Sequence, residues 1–182
     1  LRIEQFHNPS REPYPYYEEA LKRDPENYRV NRSLGILYLK RGMLGKAEQH
    51  LRMAVKQVTE DYTSPRDGEA LYYLGLILKI KGQYDEAYDR LYKATWSYGC
   101  HTAAYYHLAQ IDCMRGDFQT ALGHVNRSLV TNQWNKKAFA LKCAVLRHLG
   151  RYQDAAEVAA DVLEFDPLHP WAGYELYLAK SQ

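Results

Sequence analysis

The sequence has too little cysteine for a disulfide-built fold and no long apolar run. Cys100, Cys113 and Cys143 are odd in number and show no CxxC spacing, which argues against a disulfide framework and fits a reducing compartment. No stretch approaches the ~18 apolar residues of a membrane-spanning helix, and no signal peptide is visible. An excess of one charge is missing as well. The 24 basic and 22 acidic residues are interspersed and leave a formal charge of +2, so neither a nucleic-acid footprint nor a basic membrane-binding tail is present. The expectation is a cytoplasmic protein whose partners include neither nucleic acid nor membrane. No initiator methionine precedes Leu1, and the chain is expected to be one region of a larger protein.

Catalytic signatures are also missing. There is no GxSxG, P-loop or GxGxxG, hence no activated nucleophile or phosphate cradle. The seven histidines include no HExxH and no Cys/His ligand spacing. His101 and His107 do not share a helical face cleanly, His124 and His148 stand alone, and all are expected on the surface or in a groove. Cys143 sits where packing explains it. Glu18-Glu19 and Asp85-Glu86 are neighbours whose side chains diverge on a helix, and they read as solvated faces. The sequons at Asn31 and Asn126 fall inside helical pattern rather than surface loops. Arg115-Gly116-Asp117 sits at a turn that every repeat has. The expectation is therefore no enzyme, no cofactor and no metal site.

What is present is a repeat. Gly42, Gly82, Gly116 and Gly150 stand 40, 34 and 34 residues apart. Two residues after each comes Leu44, Tyr84, Phe118 or Tyr152, and three further on Ala47, Ala87, Ala121 or Ala155. Seven residues before each glycine is a small residue: Gly35, Gly75, Ala109 or Cys143. A glycine able to adopt positive φ ends a helix readily, and the small residues allow two helices to approach closely. Between the glycines the apolar spacing is three and four residues, as at Leu34, Leu37 and Tyr38 and again at Leu51, Ala54, Val55 and Val58. Strand-like alternation is missing.

With these columns the sequence resembles the tetratricopeptide repeat family, a 34-residue helix–turn–helix unit. The resemblance is carried by Leu34-Gly35, Tyr38, Ala47, Leu51 and Ala54 in residues 28–58, and by Leu71, Leu74-Gly75, Leu78, Ala87, Leu91 and Ala94 in residues 68–98. Residues 102–131 follow with Tyr105, Leu108-Ala109, Ala121, Val125 and Ser128, with Asp112 in place of the usual aromatic. Residues 136–165 follow with Phe139, Leu146 and Ala155, with Lys142 in place of leucine. The four units cover about two thirds of the chain. Residues 14–24 read as the second helix of a truncated repeat, 1–13 as an extended lead-in, 59–67 as a loop insertion and 170–181 as the first helix of a following repeat or as a capping helix, a terminal cap being expected to be polar. The resemblance implies an all-α, right-handed superhelical solenoid of stacked antiparallel helix hairpins. HNPSR (7–11), YYEEALKRDPENYRVN (16–31) and YKATWS (92–97) are also similar to the repeat region of large bacterial multidomain proteins. There the array follows a domain of unknown function with suspected carbohydrate chemistry.

In the family the first helix of each unit lines a concave groove. On this chain that face is expected to show Arg29, Arg32, Ile36 and Lys40, then Tyr72, Leu76 and Lys79, then Tyr106, Gln110 and Met114, then Lys137 and Arg147. The seventeen tyrosines suit recognition, because tyrosine combines apolar area with a polar tip. The family's carboxylate clamp is not expected, since Ile36, Tyr73, Ala103 and His107 stand where its polar and charged residues belong. The reading is a protein-interaction scaffold that takes a protein or peptide segment, apolar or aromatic at its centre and acidic toward its ends. The alternative is a structural or oligomerisation appendage of an upstream carbohydrate-active domain, which leaves another domain of the same chain, or a second copy, as the partner.

Overall fold

A computed structural model of the chain describes residues 13–60, 67–133 and 135–181. The lead-in at 1–12 and most of the 59–67 insertion lie outside these residues. Among the described residues there are ten α-helices and no strand: α1 (Tyr14–Arg23), α2 (Tyr28–Lys40), α3 (Leu44–Thr59), α4 (Glu69–Ile80), α5 (Tyr84–Ala94), α6 (Tyr98–Arg115), α7 (Phe118–Thr131), α8 (Lys136–His148), α9 (Tyr152–Phe165) and α10 (Pro170–Lys180). Two compact units divide the chain, Leu1–Lys93 and Ala94–Gln182.

The four spaced glycines end α2, α4, α6 and α8, all with φ between 72° and 77°. Each helix closes with the same pair of bonds. The glycine N–H donates to the carbonyl three residues back, at Leu39, Lys79, Cys113 and Arg147. The next N–H reaches five residues back, to Tyr38, Leu78, Asp112 and Leu146, at 2.9–3.0 Å. This is the left-handed helix stop that glycine adopts without a Cβ penalty. The turn is so short that the following helix runs back along the first. Side-chain caps start four of the described helices: Asn27 accepts from the Val30 N–H, Asp117 from Thr120, Asn135 from Ala138 and the His169 ring nitrogen from Ala172.

In the first unit α1 packs on α2, α2 on α3 and on α4, and α3 on α4. In the second, α6 packs on α7 and α8, α7 on α8, α8 on α9 and α10, and α9 on α10. The small-residue column explains the close approach within a hairpin. A Cβ added to Gly35 would lie 2.5 Å from Leu51 Cγ, and one on Gly75 2.7 Å from Leu91 Cγ. Sixteen residues after each small residue the sequence carries Leu51, Leu91, Val125 and Ala159, all buried. The two columns compensate. Glycine faces leucine twice, alanine goes with valine, and cysteine goes with alanine. Summed volume is nearly equal for the glycine–leucine and alanine–valine pairs and somewhat smaller for cysteine–alanine, and volume-conserving exchange is what a close-packed interior tolerates best. The buried core of the second unit is centred on Ala109, Ala121, Val125, Leu141, Val145 and Leu146.

Second helices of the first unit are joined by ions. Arg52 on α3 grips Glu86 on α5 through two bonds of 2.7 and 2.9 Å and also bonds Glu48, which takes Lys81 at 2.6 Å. Glu86 is therefore no solvated carboxylate. Arg52 and Arg90 hold its carboxyl down at about 2.

The columns make a direct test. Gly75→Ala should cost about 1–3 kcal/mol through overpacking against Leu91. Adding Leu91→Val, which reproduces the pairing of Ala109 with Val125, should recover most of that loss, while Asp89→Ala on the exposed face of α5 should be near neutral. Chemical denaturation of the three variants checks this; equal losses for the single and double variants would remove the contact from the hairpin.

Candidate functional site

In the first unit the face formed by the first helices is built on α2 and α4. Arg29 and Lys40 are exposed, whereas Ile36, Tyr72, Leu76 and Lys79 are half-buried. The Tyr72 ring meets Tyr73 edge-on at 5.2 Å. Burial lowers the Lys79 ammonium from its usual range. Arg32 does not stand open to a ligand. Its guanidinium bonds Asp67 and lies 3.0 Å from Glu69, at the start of α4. The Tyr28 hydroxyl donates to Asp67 at 2.7 Å, and the Glu69 N–H donates to the other oxygen of the same carboxylate. Burial would raise the Asp67 carboxyl, but the Glu69 N–H, the Tyr28 hydroxyl and Arg32 together hold it below the usual range. Burial and the Asp67 carboxylate push the Tyr28 phenol up.

In the second unit Tyr106, Gln110 and Met114 lie on α6. Gln110 donates to the Tyr106 hydroxyl at 3.1 Å and its carbonyl oxygen sits 2.9 Å from His107 Nδ1. Burial raises the Tyr106 phenol, while Met114 is exposed. On α8, Lys137 is exposed, and Arg147 donates to Glu175 of α10 at 2.8 Å. That carboxylate is buried. Arg32 and Arg147 are thus alike: each ties one first helix to the next. The outer side of α10 is not polar. Trp171, Tyr174 (59% exposed) and Tyr177 (68% exposed) face outward, while Ala172, Glu175 and Ala179 pack back against the unit.

Two interiors depart from the surface role expected of the histidines. Asp112, which takes the usual aromatic's place on α6, is 3% exposed and accepts a 2.7 Å bond from His124 Nδ1 on α7, itself 7% exposed. Tyr105 packs its ring on His124, and Arg127 donates to the Tyr105 hydroxyl at 3.1 Å. The first unit repeats the arrangement in other residues. Tyr38 stacks on His50 at 5.5 Å, and His50 Nδ1 lies 2.9 Å from Asn31 Oδ1. The Asn31 amide nitrogen already donates to the Pro25 and Asn27 carbonyls, so Asn31 offers its oxygen and His50 is the donor. His50 and His124 each stand twelve residues after the residue they meet, and this shared spacing is the sequence signal that could have found them. Neither sequon offers a surface-loop acceptor: Asn31 is buried, and Ser128 is buried with its hydroxyl on the Thr102 carbonyl. Asp117 caps α7 through the Thr120 N–H. Among the described residues no group of three or more His, Cys, Asp or Glu is placed to hold a metal, and no helix is long and apolar enough to cross a membrane.

Comparison with known proteins adds the following. Two models described as tetratricopeptide repeat match residues 14–75 and 54–99. The fold is similar to that of YrrB, described as a TPR protein with an unusual peptide-binding site, with a TM-score of 0.76, 20% identity, and coverage of 91% of this chain and 82% of that one. It is also similar to MamA, at TM-score 0.73 and 23% identity over 81% of this chain and 83% of that one. A third similar structure is the APC/C hetero-tetramer Cut9–Hcn1, at TM-score 0.75 and 16% identity over 90% of this chain and 32% of that one.

The histidine interiors generate two predictions. Asp112→Ala leaves His124 buried without its carboxylate and should cost about 3 kcal/mol. Asp112→Leu combined with His124→Val copies Leu146 and Val158 of the fourth hairpin and should restore stability to within about 1 kcal/mol of the parent. Burial, with Lys46 nearby, lowers the His50 imidazole from its usual 6.5. The unfolded chain therefore gains the proton first, and the first unit should lose stability as pH falls below about 6.5. Denaturation between pH 8 and pH 5 checks the sign; His50→Gln should flatten the acid limb, and an unchanged slope would exclude His50 as its source.

Proposed function

The chain is a tetratricopeptide repeat protein, matched to the family over residues 14–99 and continued by further hairpins of the same fold, and we propose that it is a protein-interaction scaffold. It holds a partner segment on the faces of its first helices, each unit presenting its own. The observation that carries this reading is the contrast on that face between aromatic and charged residues. Tyr72, Tyr106, Trp171 and Tyr174 keep part of their surface toward solvent, whereas Arg32 and Arg147 are already matched to carboxylates of their own chain. Apolar and aromatic side chains of the partner are what such a face favours. A few such anchors supply most of the affinity in protein contacts. Any acidic preference rests on Arg29, Lys40 and Lys137, which are exposed. The likeness to YrrB, whose description includes a peptide-binding site, is consistent with a peptide ligand.

The test is selection of peptides from a display library by the intact chain, followed by binding measurements. Enrichment in apolar and aromatic residues is expected. Tyr72→Ala combined with Tyr106→Ala should weaken the selected peptides about tenfold or more with little change in melting temperature. A double variant that unfolds would make these tyrosines core, and one that binds unchanged would move the contact to another surface.

A further inference from the structure

Helix α10 starts as the first helices do and then departs from them on one side. His169 caps it through the Ala172 N–H, as Asn27 caps α2 and Asn135 caps α8. Ala172 is buried, as are Val30, Ala70, Ala104 and Ala138 at the same place in the earlier first helices. The side that meets a second helix is built differently. In the four hairpins its small-residue column is Gly35, Gly75, Ala109 and Cys143, and one turn earlier stand the larger Asn31, Leu71, Tyr105 and Phe139. In α10 the two sizes have changed places: Tyr177 stands in the small column and Gly173 one turn before it. The column of Tyr38, Leu78, Asp112 and Leu146, buried in every hairpin, continues as Lys180, which is exposed.

This exchange sets the side against the partner it has elsewhere. At Gly35 and Gly75 even an added Cβ would press on the facing leucine, so a phenol ring at Tyr177 holds a second helix off at that turn. Covering Lys180 in the interior column would bury an ammonium without a counter-charge. Tyr177 is instead 68% exposed. Gly173 leaves a recess beside it, where an added Cβ would meet no described atom within 4 Å beyond its own helical turn. A glycine inside a helix costs stability relative to alanine, and no packing among the described residues requires this one. Ring and recess lie four residues apart, on one face.

We propose that this side of α10 binds the same side of α10 in a second copy of the chain. The two helices run antiparallel across a two-fold axis, and each Tyr177 ring enters the recess at the partner's Gly173. The face is its own complement, as a two-fold contact requires. A ring and a bare position stand one turn apart, and reversing the helix brings each onto the other. The antiparallel arrangement also sends the two Lys180 ammonium groups to opposite ends of the contact, where a parallel one would bring them together. One helix face is smaller than the ~800 Å2 per partner of a stable interface, so the dimer forms and parts with concentration. The contact centres on Gly173 and Tyr177 and is read without any peptide, so it stands or falls apart from the peptide-binding face.

Sedimentation equilibrium of the intact chain over a wide range of concentration reads the association. The parent should show a reversible monomer–dimer equilibrium. Gly173→Leu, which fills the recess, and Tyr177→Ala, which removes the ring, should each weaken it about tenfold or more. Both positions are open in the single chain, so melting temperatures should stay close to the parent's. Tyr72→Ala combined with Tyr106→Ala should leave the association unchanged. The deciding sample is an equimolar mixture of the Gly173→Leu and Tyr177→Ala chains. In the mixed dimer the new leucine meets the new alanine, while the remaining ring meets the remaining glycine. The mixture should therefore associate about tenfold more tightly than either variant alone. If either variant melts early, Gly173→Ala decides alone: it should weaken association while melting no lower than the parent, and unchanged association overturns the proposal. A parent that stays monomeric throughout, variants that associate as the parent does, or a mixture no tighter than its components overturns it as well.

Discussion

The structure depends first on how closely two helices of one hairpin approach. At Gly35 and Gly75 the backbone of the first helix comes so near to Leu51 and Leu91 that no Cβ fits without displacing the leucine. The contact joins residues sixteen apart, across a turn closed by a left-handed glycine. Both are local interactions, formed at little loop-closure cost. A hairpin set in this way presents its first helix at a fixed register, and the next hairpin can pack only against that register. The exchange of leucine for valine where glycine becomes alanine keeps the filled volume nearly constant, whichever residues supply it.

Behind that contact the hairpin interiors are free to differ, and they do. Hairpin four closes on Leu146 with Val158 beside the core. Hairpin one places Tyr38 against His50, and hairpin three places Asp112 against His124. A buried carboxylate–imidazole pair is seldom more stabilising than an apolar pair of the same size. It does make the hairpin intolerant of the wrong partner, because an α6 docked on any helix other than α7 would bury Asp112 without a donor. In an array of near-identical units this is a physical means of keeping each first helix with its own second helix.

The hairpins were legible because glycine and small-residue columns report backbone constraints that few other residues satisfy. Asp112 was legible as an exception, but its partner was not, since His124 was read alone rather than twelve residues along the same column. The pairing of Arg32 with Asp67 and of Arg147 with Glu175 joins residues 35 and 28 apart on neighbouring hairpins, and no single-helix pattern carries that information. For the same reason helical pattern alone does not show that Arg90 lies partly buried against Glu86. The aromatic outer side of α10 was obscured by the expectation that a last helix is polar. Its sequence is apolar nearly all round, and periodicity then fails to say which side is covered.

The distribution of charge separates the two kinds of surface more sharply than composition does. On the first helices, Arg32 and Arg147 meet carboxylates at the junction between neighbouring hairpins. They hold the array together and leave the aromatic rings as the distinctive feature of that face. On α9 the opposite holds. Glu157, Asp161 and Glu164 contribute nothing to the junctions described, and Glu164, in the last turn, sits unfavourably against the helix dipole. A net charge of +2 over the chain conceals both facts, because it sums cations bound within the fold with anions displayed outside it. The charges that the hairpins leave without an ion pair are acidic on α9 and basic at Arg29, Lys40 and Lys137 among the first-helix positions considered, and the proposed recognition would draw on the basic ones.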